Sequence, residues 1–396
     1  MVKKTYGARI GAALLCLSLF TGCAVVTPPA ATETSEAPRP SEATAETTAP
    51  ETEPEPPETI DPAADILAGM TLEEKVGQLF LARCPEENAI SDLKTYHLGG
   101  YLLFARDFEG QSWDSMTAVL DDYRAAAEIP PLLAVDEEGG TVCRVSRYPA
   151  FRKTPFSSPR EAYAQGGMDG ALEQESEKAA LLAGLGLNVL MGPVCDIADE
   201  PDSFLYKRSL GQSPEVTGQF VAGAVERASQ MGVGSVLKHF PGYGNNADTH
   251  TGVAVDHRSL ESLEGWDLLP FQAGIAAGAG AVLVSHTIVT ALEEDTPASL
   301  SPEVHRYLRE EMGFSGVIMT DDLSMQAITD LYGSGEAAVL AVLAGNDILC
   351  STEYATQYEA VLEAAESGRI SEDTLNSAVY RVLAWKQTLG LMDSAQ

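Results

Sequence analysis

The amino-acid sequence predicts an α/β fold, namely a (β/α)8 barrel of the TIM type. From about Ile60 onward, short apolar runs of strand length alternate with longer segments of helical periodicity, and the apolar runs number eight. Apolar strands separated by helices indicate a parallel sheet buried on both faces, and eight such units indicate closure into a barrel. A doubly wound open sheet is the structural alternative.

Each predicted strand is a short apolar run, and each predicted helix is a longer segment with apolar residues at helical spacing. The strand predictions are Leu79–Ala82, Tyr101–Phe104, Leu132–Val135, Leu187–Met191, Ser235–Phe240, Ala281–Val284, Gly316–Thr320 and Asp347–Cys350. The helix predictions are Trp113–Ala127, Glu173–Leu185, Pro214–Gln230, Leu263–Ala277, Pro302–Met312 and Gly335–Leu343. Because the carboxyl ends of the strands meet at one face of such a barrel, functional residues should follow the strands directly.

The composition narrows the class of function. The 396 residues contain 25 Lys+Arg against 58 Asp+Glu, which gives a formal net charge of −33. Binding to nucleic acid needs clustered basic residues that displace counterions from phosphates, so this charge argues against a nucleic-acid partner. With 45% hydrophobic and 21% charged residues, the chain can bury a large core and is globular over most of its length.

Residues 1–22 have the pattern of a bacterial lipoprotein signal peptide. Basic residues precede an apolar run from Ile10 to Phe20, which is too short to cross a bilayer as a helix. The run leads to Thr21-Gly22-Cys23, which resembles a lipoprotein box, and this resemblance implies that Cys23 is lipidated and becomes the mature N-terminus. An ordinary signal peptide with a chance cysteine is the alternative.

Residues 23–59 are predicted to form an acidic, disordered tether rich in Pro, Thr and Glu. Residues 24–62 hold nine acidic residues against one basic residue, with too few apolar side chains to offset the entropy of ordering. The sequence therefore predicts an extracytoplasmic protein that is lipid-anchored to the bacterial cell membrane through Cys23, with the barrel over residues 60–396.

Four cysteines remain outside the signal and the lipidation site, and they are Cys84, Cys143, Cys195 and Cys350. Their wide spacing, with no C-x-x-C pattern, argues against a metal site. Buried free thiols are favoured over a disulfide, although an oxidising compartment would permit one. We expect neither a metal nor an organic cofactor.

Charged and imidazole groups follow or end four of the predicted strands, at Asp136–Glu138, Lys238–His239, His286 and Asp321–Asp322. Such groups are costly to desolvate at the end of an apolar strand, so a functional reason for their placement is favoured over chance. A ring of this kind suits a polar substrate such as a carbohydrate. Carboxylates that face each other across a barrel mouth can hydrolyse a glycosidic bond, one at the anomeric carbon and one at the leaving oxygen.

Three segments, Lys238–Gly244, Asp248–His250 and Gly316–Met325, resemble glycoside hydrolase family 3 in its single-domain β-N-acetylhexosaminidase branch. Asp136–Gly140 with Arg144, and the segment Lys207–Gly211, support the resemblance. It covers roughly Ile60 to the C-terminus and implies a glycosidase without a second sandwich domain, whose site is completed within one barrel.

The resemblance implies that Asp321 is the catalytic nucleophile, which forms a covalent glycosyl-enzyme. It also implies that His250 is the general acid/base and is paired with Asp248, which suits an imidazole that titrates near neutral pH. A helix N-cap at Asp321 and a solvent-exposed loop histidine at His250 are the alternatives. Asp322 is expected to face away from the sugar, because successive residues of an extended chain point to opposite sides.

The resemblance further implies that hydrogen-bonding groups surround the sugar. Asp136 would accept hydrogen bonds from sugar hydroxyls, and the donors would be Arg144, Arg208, Lys238 and His239. Structural ion pairs are the alternative, above all for Arg144 and Glu138.

The loop after the fifth predicted strand departs from the family pattern. Tyr243 stands where a His is common, Asn245-Asn246 stand where an acid and a Thr are usual, and the loop is one residue shorter before Asp248. These changes affect the loop that carries His250. On the next strand, His286 either lines the pocket or is a hydrogen-bonded residue at the end of the barrel.

The sequence therefore predicts a monomeric, exo-acting retaining glycoside hydrolase that removes terminal β-N-acetylglucosamine from peptidoglycan fragments or chitin-like oligosaccharides. The alternatives are a β-glucosidase-type hydrolase of the same family and a non-catalytic sugar-binding lipoprotein. A mechanism in which the substrate's own acetamido group attacks, with Asp321 and Asp322 assisting, is a further alternative.

Overall fold

The computed structural model describes residues 61–244, 246, 248–249 and 252–392. The predicted signal peptide, the predicted lipidation site Cys23, the predicted tether and the predicted acid/base His250 lie outside the described residues. Within the described part of the chain, no helix combines the length and the apolar character needed to cross a membrane.

Eight parallel strands form a closed barrel. They are β1 (Phe80–Arg83), β2 (Gly100–Leu103), β3 (Leu132–Val135), β4 (Val189–Leu190), β5 (Gly234–Phe240), β6 (Ala281–Val284), β7 (Val317–Thr320) and β8 (Leu349–Ser351). From β1 to β7 each strand pairs in parallel with the next, and β1 also pairs with β8, with Phe80 opposite Leu349. A parallel bridge between Met319 and Ile348 joins β7 to the start of β8 and completes the ring. The predicted barrel is confirmed, and the open-sheet alternative is excluded.

Helices surround the barrel, and two short strand pairs extend its loops. The helices are Pro62–Gly69, Leu72–Gln78, Ala89–Thr95, Ala105–Phe108, Trp113–Ala126, Pro159–Leu185, Pro214–Gln230, Leu260–Glu264, Leu268–Ala276, Pro302–Arg306, Gln326–Thr329, Ser334–Ala344, Tyr354–Glu366 and Glu372–Thr388. Glu137–Gly139 pairs antiparallel with Val142–Cys143, and Val255–Asp256 pairs in parallel with Ile288–Val289. Both pairs lie in loops that follow barrel strands.

Three predicted helices differ from those observed. The helix predicted over residues 302–312 is an α-helix only over Pro302–Arg306, after which Tyr307–Glu311 forms a π-helix. The single helix predicted over residues 263–277 is divided into Leu260–Glu264 and Leu268–Ala276. Pro270 lies in the first turn of the second helix, where its missing N–H costs no hydrogen bond, so it favours a new helix start over a continuous helix. The helix predicted from Glu173 belongs to the segment Pro159–Leu185, which begins at a capping box formed by Ser158 and Glu161 and is kinked at Gly167, where φ is 63° and ψ is −156°.

Along each strand, side chains point alternately into the barrel and toward the surrounding helices, and this alternation sets the direction of the polar residues that follow the strand. In β7, Met319 packs in the interior of the barrel, whereas Ile318 packs against the surrounding helices. Two residues beyond Met319, Asp321 therefore continues on the interior side. The same alternation directs Asp136 after β3 and Lys238 within β5 to the interior. The four described cysteines are buried and form no disulfide, as the sequence analysis favoured.

Candidate active site

A cavity of about 300 Å³ opens at the carboxyl ends of the barrel strands. Its lining includes six of the predicted site residues, which are Asp136, Arg144, Arg208, Lys238, His239 and Asp321. Asp248 lies half-buried on the loop after β5 and is not among the described residues that line this cavity. The fold thus brings the predicted nucleophile and every predicted sugar-binding residue to one place.

Asp321 is held at the mouth of the barrel by its backbone. Its N–H donates to the carbonyl oxygen of Val284, at the end of β6, at 3.0 Å. Its carboxylate accepts a hydrogen bond from the backbone N–H of Asp322 at 2.9 Å. The next helix, Gln326–Thr329, begins only after Met325, so the helix N-cap alternative for Asp321 does not apply.

The Asp322 carboxylate is bound within its own loop region. It accepts hydrogen bonds from the backbone N–H groups of Ser324 and Thr352 at 3.0 and 3.3 Å, and from both hydroxyls at 2.5 Å. Buried His286 supports the same turn, with Nε2 2.9 Å from the carbonyl oxygen of Asp322 and Nδ1 2.7 Å from Ser299 Oγ. Although Asp322 also borders the cavity, its hydrogen bonds and those of His286 position the turn that follows β7.

A buried ion cluster forms one wall of the cavity. Arg208 donates to Glu138 through Nε and Nη2 at 2.8 Å each, and Lys238 Nζ lies 2.6 Å from Glu138 and 2.5 Å from Asp136. Burial alone would raise the pKa of Glu138, but Lys238 and Arg208 together hold that pKa well below its usual range. Burial alone would lower the pKa of Lys238, but Asp136 and Glu138 raise it above its usual value. Glu138 and Lys238 are therefore both charged at neutral pH, and the ion-pair alternative applies to Glu138.

Asp196, which the sequence analysis did not select, orients His239. Its Oδ2 accepts from the backbone N–H of His239 at 3.0 Å and lies 2.7 Å from the ring Nδ1. The other ring nitrogen, Nε2, lies 3.2 Å from Arg208 Nη2. Because a guanidinium only donates, Nε2 must accept, and the proton of the imidazole belongs on Nδ1 facing Asp196.

Tyr243, which replaces the His common in the family pattern, connects the end of β5 to the loop that carries Asp248. Its hydroxyl lies 2.5 Å from Thr249 Oγ1, and its ring packs edge-on against His239 with 5.4 Å between centroids. Burial, together with the nearby charge of Asp321, raises the pKa of this phenol. Tyr243 is therefore a neutral hydroxyl that holds the loop beside the cavity.

Arg83 lines the cavity and is a second residue that the sequence analysis missed. It ends β1, and both it and Arg144 lie against the ring of Phe104, with guanidinium carbons 4.5 and 5.7 Å from the ring centroid. The alternation in β1 could have found it, because Leu81 packs in the barrel interior and Arg83 continues on the same side. Among the described residues Arg144 makes no ion pair, so the ion-pair alternative is not supported for it.

Buried groups beneath the cavity fix the hairpin that carries Arg144. The Glu137 carboxylate accepts hydrogen bonds from the backbone N–H groups of Arg144 and Val145 at 2.9 and 2.7 Å. Lys178 Nζ donates to the carbonyl oxygen of Glu138 at 2.6 Å and pairs with Glu175 at 2.7 Å. These contacts hold the start of the loop after β3 rigidly.

Metal-ligating side chains come together elsewhere in the described part of the chain. Glu74, His97 and Glu128 place ligand atoms within 4.8 Å of one another. They line a different cavity, formed by segments that precede β1, β2 and β3, and so lie toward the opposite end of the barrel from Asp321.

Comparison with known proteins identifies the family. The family model described as "Glycosyl hydrolase family 3 N terminal domain" matches residues 71–385. The chain belongs to glycosyl hydrolase family 3. A beta-hexosaminidase of Stenotrophomonas maltophilia (strain K279a) is 33% identical to this family 3 chain over 302 residues, which cover 74% of this chain and 86% of the relative.

Two solved structures resemble this family 3 barrel. The glycoside hydrolase family 3 beta-N-acetylglucosaminidase from Paenibacillus sp. str. FPU-7 superposes with a TM-score of 0.76 at 33% identity, over 83% of this chain and 64% of the Paenibacillus chain. M tuberculosis LpqI superposes with a TM-score of 0.75 at 29% identity, over 82% of this chain and 96% of LpqI. The chain thus spans less than two thirds of the Paenibacillus protein and nearly all of LpqI.

Proposed function

We propose that this chain is a retaining, exo-acting β-N-acetylhexosaminidase that removes terminal β-N-acetylglucosamine from peptidoglycan fragments or chitin-like oligosaccharides. The observation that carries this proposal is the position of Asp321. It lies at the interior side of the barrel mouth, in the same cavity as Asp136, Lys238, His239 and Arg208. A carboxylate beside a ring of fixed hydrogen-bonding groups is the arrangement that covalent glycoside hydrolysis needs.

In the proposed first step, an oxygen of Asp321 attacks the anomeric carbon while the bond to the leaving oxygen breaks. His250 gives its proton to that oxygen, and Asp248 supports the charged imidazole and its orientation. In the second step His250 takes a proton from water, which attacks the anomeric carbon and releases Asp321. The sugar leaves with its original anomeric configuration after two displacements.

The ion cluster provides the proposed sugar-binding wall. Asp136 accepts hydrogen bonds from hydroxyls, whereas Lys238 and Arg208 donate to them. Because the Glu138 carboxylate already holds the Lys238 and Arg208 side chains in place, these side chains need little reorganisation when the sugar binds. Asp196 fixes His239 in the same way.

We also propose that the protein acts outside the cytoplasm as a monomer that is lipid-anchored through Cys23. The apolar run of residues 10–20 and the following Thr-Gly-Cys support this proposal. Metabolic labelling with a palmitate analogue tests it, because labelling should be lost in Cys23→Ala and retained in the wild type.

The activity is tested by comparing 4-nitrophenyl β-N-acetylglucosaminide with 4-nitrophenyl β-glucoside. We expect preferential hydrolysis of the first, and we expect Asp321→Asn to lower kcat by about 10⁴-fold or more. Asp330→Asn, an exposed acid directly after the short helix Gln326–Thr329, is the matched control and should retain full activity. A preference for the glucoside would favour the β-glucosidase alternative, and binding without any turnover would favour a non-catalytic sugar-binding protein.

A further inference from the structure

Tyr243 lies at the start of the loop that follows β5, and contacts on several sides hold it in place. Its backbone N–H donates to Asp196 Oδ1 at 2.8 Å, and the other oxygen of this carboxylate orients His239. Its buried ring packs edge-on against Phe204 and His239, with 5.1 and 5.4 Å between centroids. The carboxylate that orients a sugar-binding residue therefore also fixes Tyr243.

Arg258 joins the two ends of this loop. Its Nη2 donates to the carbonyl oxygen of Gly242 at 3.4 Å, and its guanidinium pairs with the buried carboxylates of Asp256 and Asp267 at 2.6 Å each. Gly242 lies at the start of the loop and Asp256 at its end. Because one side chain holds both ends, contacts made inside the loop set the position of the segment between them.

A hydrogen bond between two hydroxyls connects the start of the loop to the proposed acid/base pair. Tyr243 Oη lies 2.5 Å from Thr249 Oγ1, and both side chains are buried. Thr249 stands between Asp248 and His250 in the sequence. Because a buried hydroxyl that loses its partner is costly, this hydrogen bond favours one position of the backbone beside Asp248 and His250.

The phenol suits this role through its length and its charge. A phenol extends further from the backbone than the imidazole that is common at this position in the family pattern, and it places its hydroxyl at Thr249. Burial and the charge of Asp321 raise the pKa of Tyr243, so its hydroxyl stays protonated at neutral pH and can donate or accept. Tyr243 is not among the described residues that line the catalytic cavity, so its effect on the reaction passes through the loop.

We propose that Tyr243 is a positioning residue for the acid/base loop, and that its hydrogen bond to Thr249 holds Asp248 and His250 where a proton can pass to the leaving oxygen. The inference rests on the proposed glycosidase function and deepens it. Tyr243 supports protonation of the leaving group, whereas the attack by Asp321 does not depend on it. Loss of this hydrogen bond should therefore affect substrates according to their leaving groups.

The test compares phenyl β-N-acetylglucosaminide, whose leaving group needs a proton, with the 4-nitrophenyl glycoside, whose leaving group departs as a stable anion. In Tyr243→Phe we expect kcat/KM to fall by about tenfold or more on the phenyl glycoside and by no more than about threefold on the 4-nitrophenyl glycoside. Thr249→Val removes the partner hydroxyl at nearly constant volume and should produce the same pattern. The double variant should lose no more than either single variant, because the same hydrogen bond is removed in all three.

Tyr101→Phe is the matched control. Tyr101 is also buried, its hydroxyl donates to the carbonyl oxygen of Ala89 at 2.7 Å, and it is not among the described residues that line the cavity. This variant should lower the free energy of unfolding, as Tyr243→Phe does, but should leave the phenyl-to-4-nitrophenyl ratio of kcat/KM at the wild-type value. Chemical denaturation checks that each variant is folded under the assay conditions.

An equal loss on both glycosides in Tyr243→Phe, or losses that add in the double variant, would overturn the inference while leaving the glycosidase proposal intact. A wild-type ratio of kcat/KM in Thr249→Val would also overturn it, whether or not Tyr243→Phe folds. If the wild type hydrolysed neither glycoside, the proposed function would be overturned instead.

Discussion

Glu138→Gln tests whether the ion cluster stabilises the fold as well as the site. The side chain of Glu138 is 1% exposed and receives two hydrogen bonds from Arg208 and one ion pair from Lys238. The substitution keeps the shape but removes the negative charge, which leaves Arg208 without a carboxylate and Lys238 with Asp136 alone. Breaking a buried ion pair on one side costs about 3–5 kcal/mol, so the free energy of unfolding should fall by that amount.

Chemical denaturation at pH 7 measures this loss. The exposed pair of Glu86 and Arg106 provides the matched control, because Glu86 is 77% exposed and Glu86→Gln should cost no more than about 1 kcal/mol. The pH dependence follows from the lowered pKa of folded Glu138. Its contribution is present above the unfolded pKa of about 4.3 and is lost as the pH falls toward the folded pKa. A loss at pH 7 as small as that of Glu86→Gln would refute this reasoning.

Three further predictions concern single residues. Burial lowers the pKa of Lys386 to about 7, and Gln78 accepts its hydrogen bond. The free energy of unfolding of the wild type should therefore rise between about pH 7 and the unfolded pKa of about 10.4, because the unfolded state binds more protons in that range. Lys386→Met should remove that rise, and unchanged pH slopes in denaturation curves would contradict the prediction. Asp196→Asn should lower kcat/KM by about 10–100-fold through the lost orientation of His239, and unaltered kinetics would show that this carboxylate does not position the ring. His250→Ala should slow the cleavage of unactivated glycosides by about 10²–10⁴-fold, and that of activated aryl glycosides by less. An unimpaired rate on unactivated substrates would exclude His250 as the acid/base.

The barrel could be predicted because each of its strands is an apolar run bounded by polar or helical sequence. The strand bounds differ from those predicted by only a few residues, and β3 and β6 have the predicted bounds. The helix over residues 263–277 was wrong because apolar periodicity continues across the break, and only Pro270 signals the second start. The periodicity of apolar residues indicates which face of a segment is buried, whereas the end of one helix and the start of the next depend on the local backbone, as at Pro270.

At the site, the residues that lie in spaced motifs could be predicted, whereas Asp196 and Arg83 were missed for different reasons. Asp196 lies five residues beyond the apolar run Leu187–Met191 and so does not directly follow the predicted strand. The alternation in β1 could have placed Arg83 on the interior side, but its contact with Phe104, which Arg144 shares, joins segments that are distant in the chain. Contacts between segments that are remote in sequence depend on the closure of the barrel, and therefore require the structure.

The proposed covalent role of Asp321 is tested most directly by trapping the intermediate. The protein is incubated with a 2-fluoro glycoside that carries a good leaving group, and intact-mass measurement is followed by proteolysis to locate the modified residue. We predict the mass increase of one fluoroglycosyl group, located on Asp321 and absent in Asp321→Asn. Turnover of the aryl N-acetylglucosaminide without any adduct on Asp321 would contradict the covalent mechanism and would favour attack by the substrate's acetamido group.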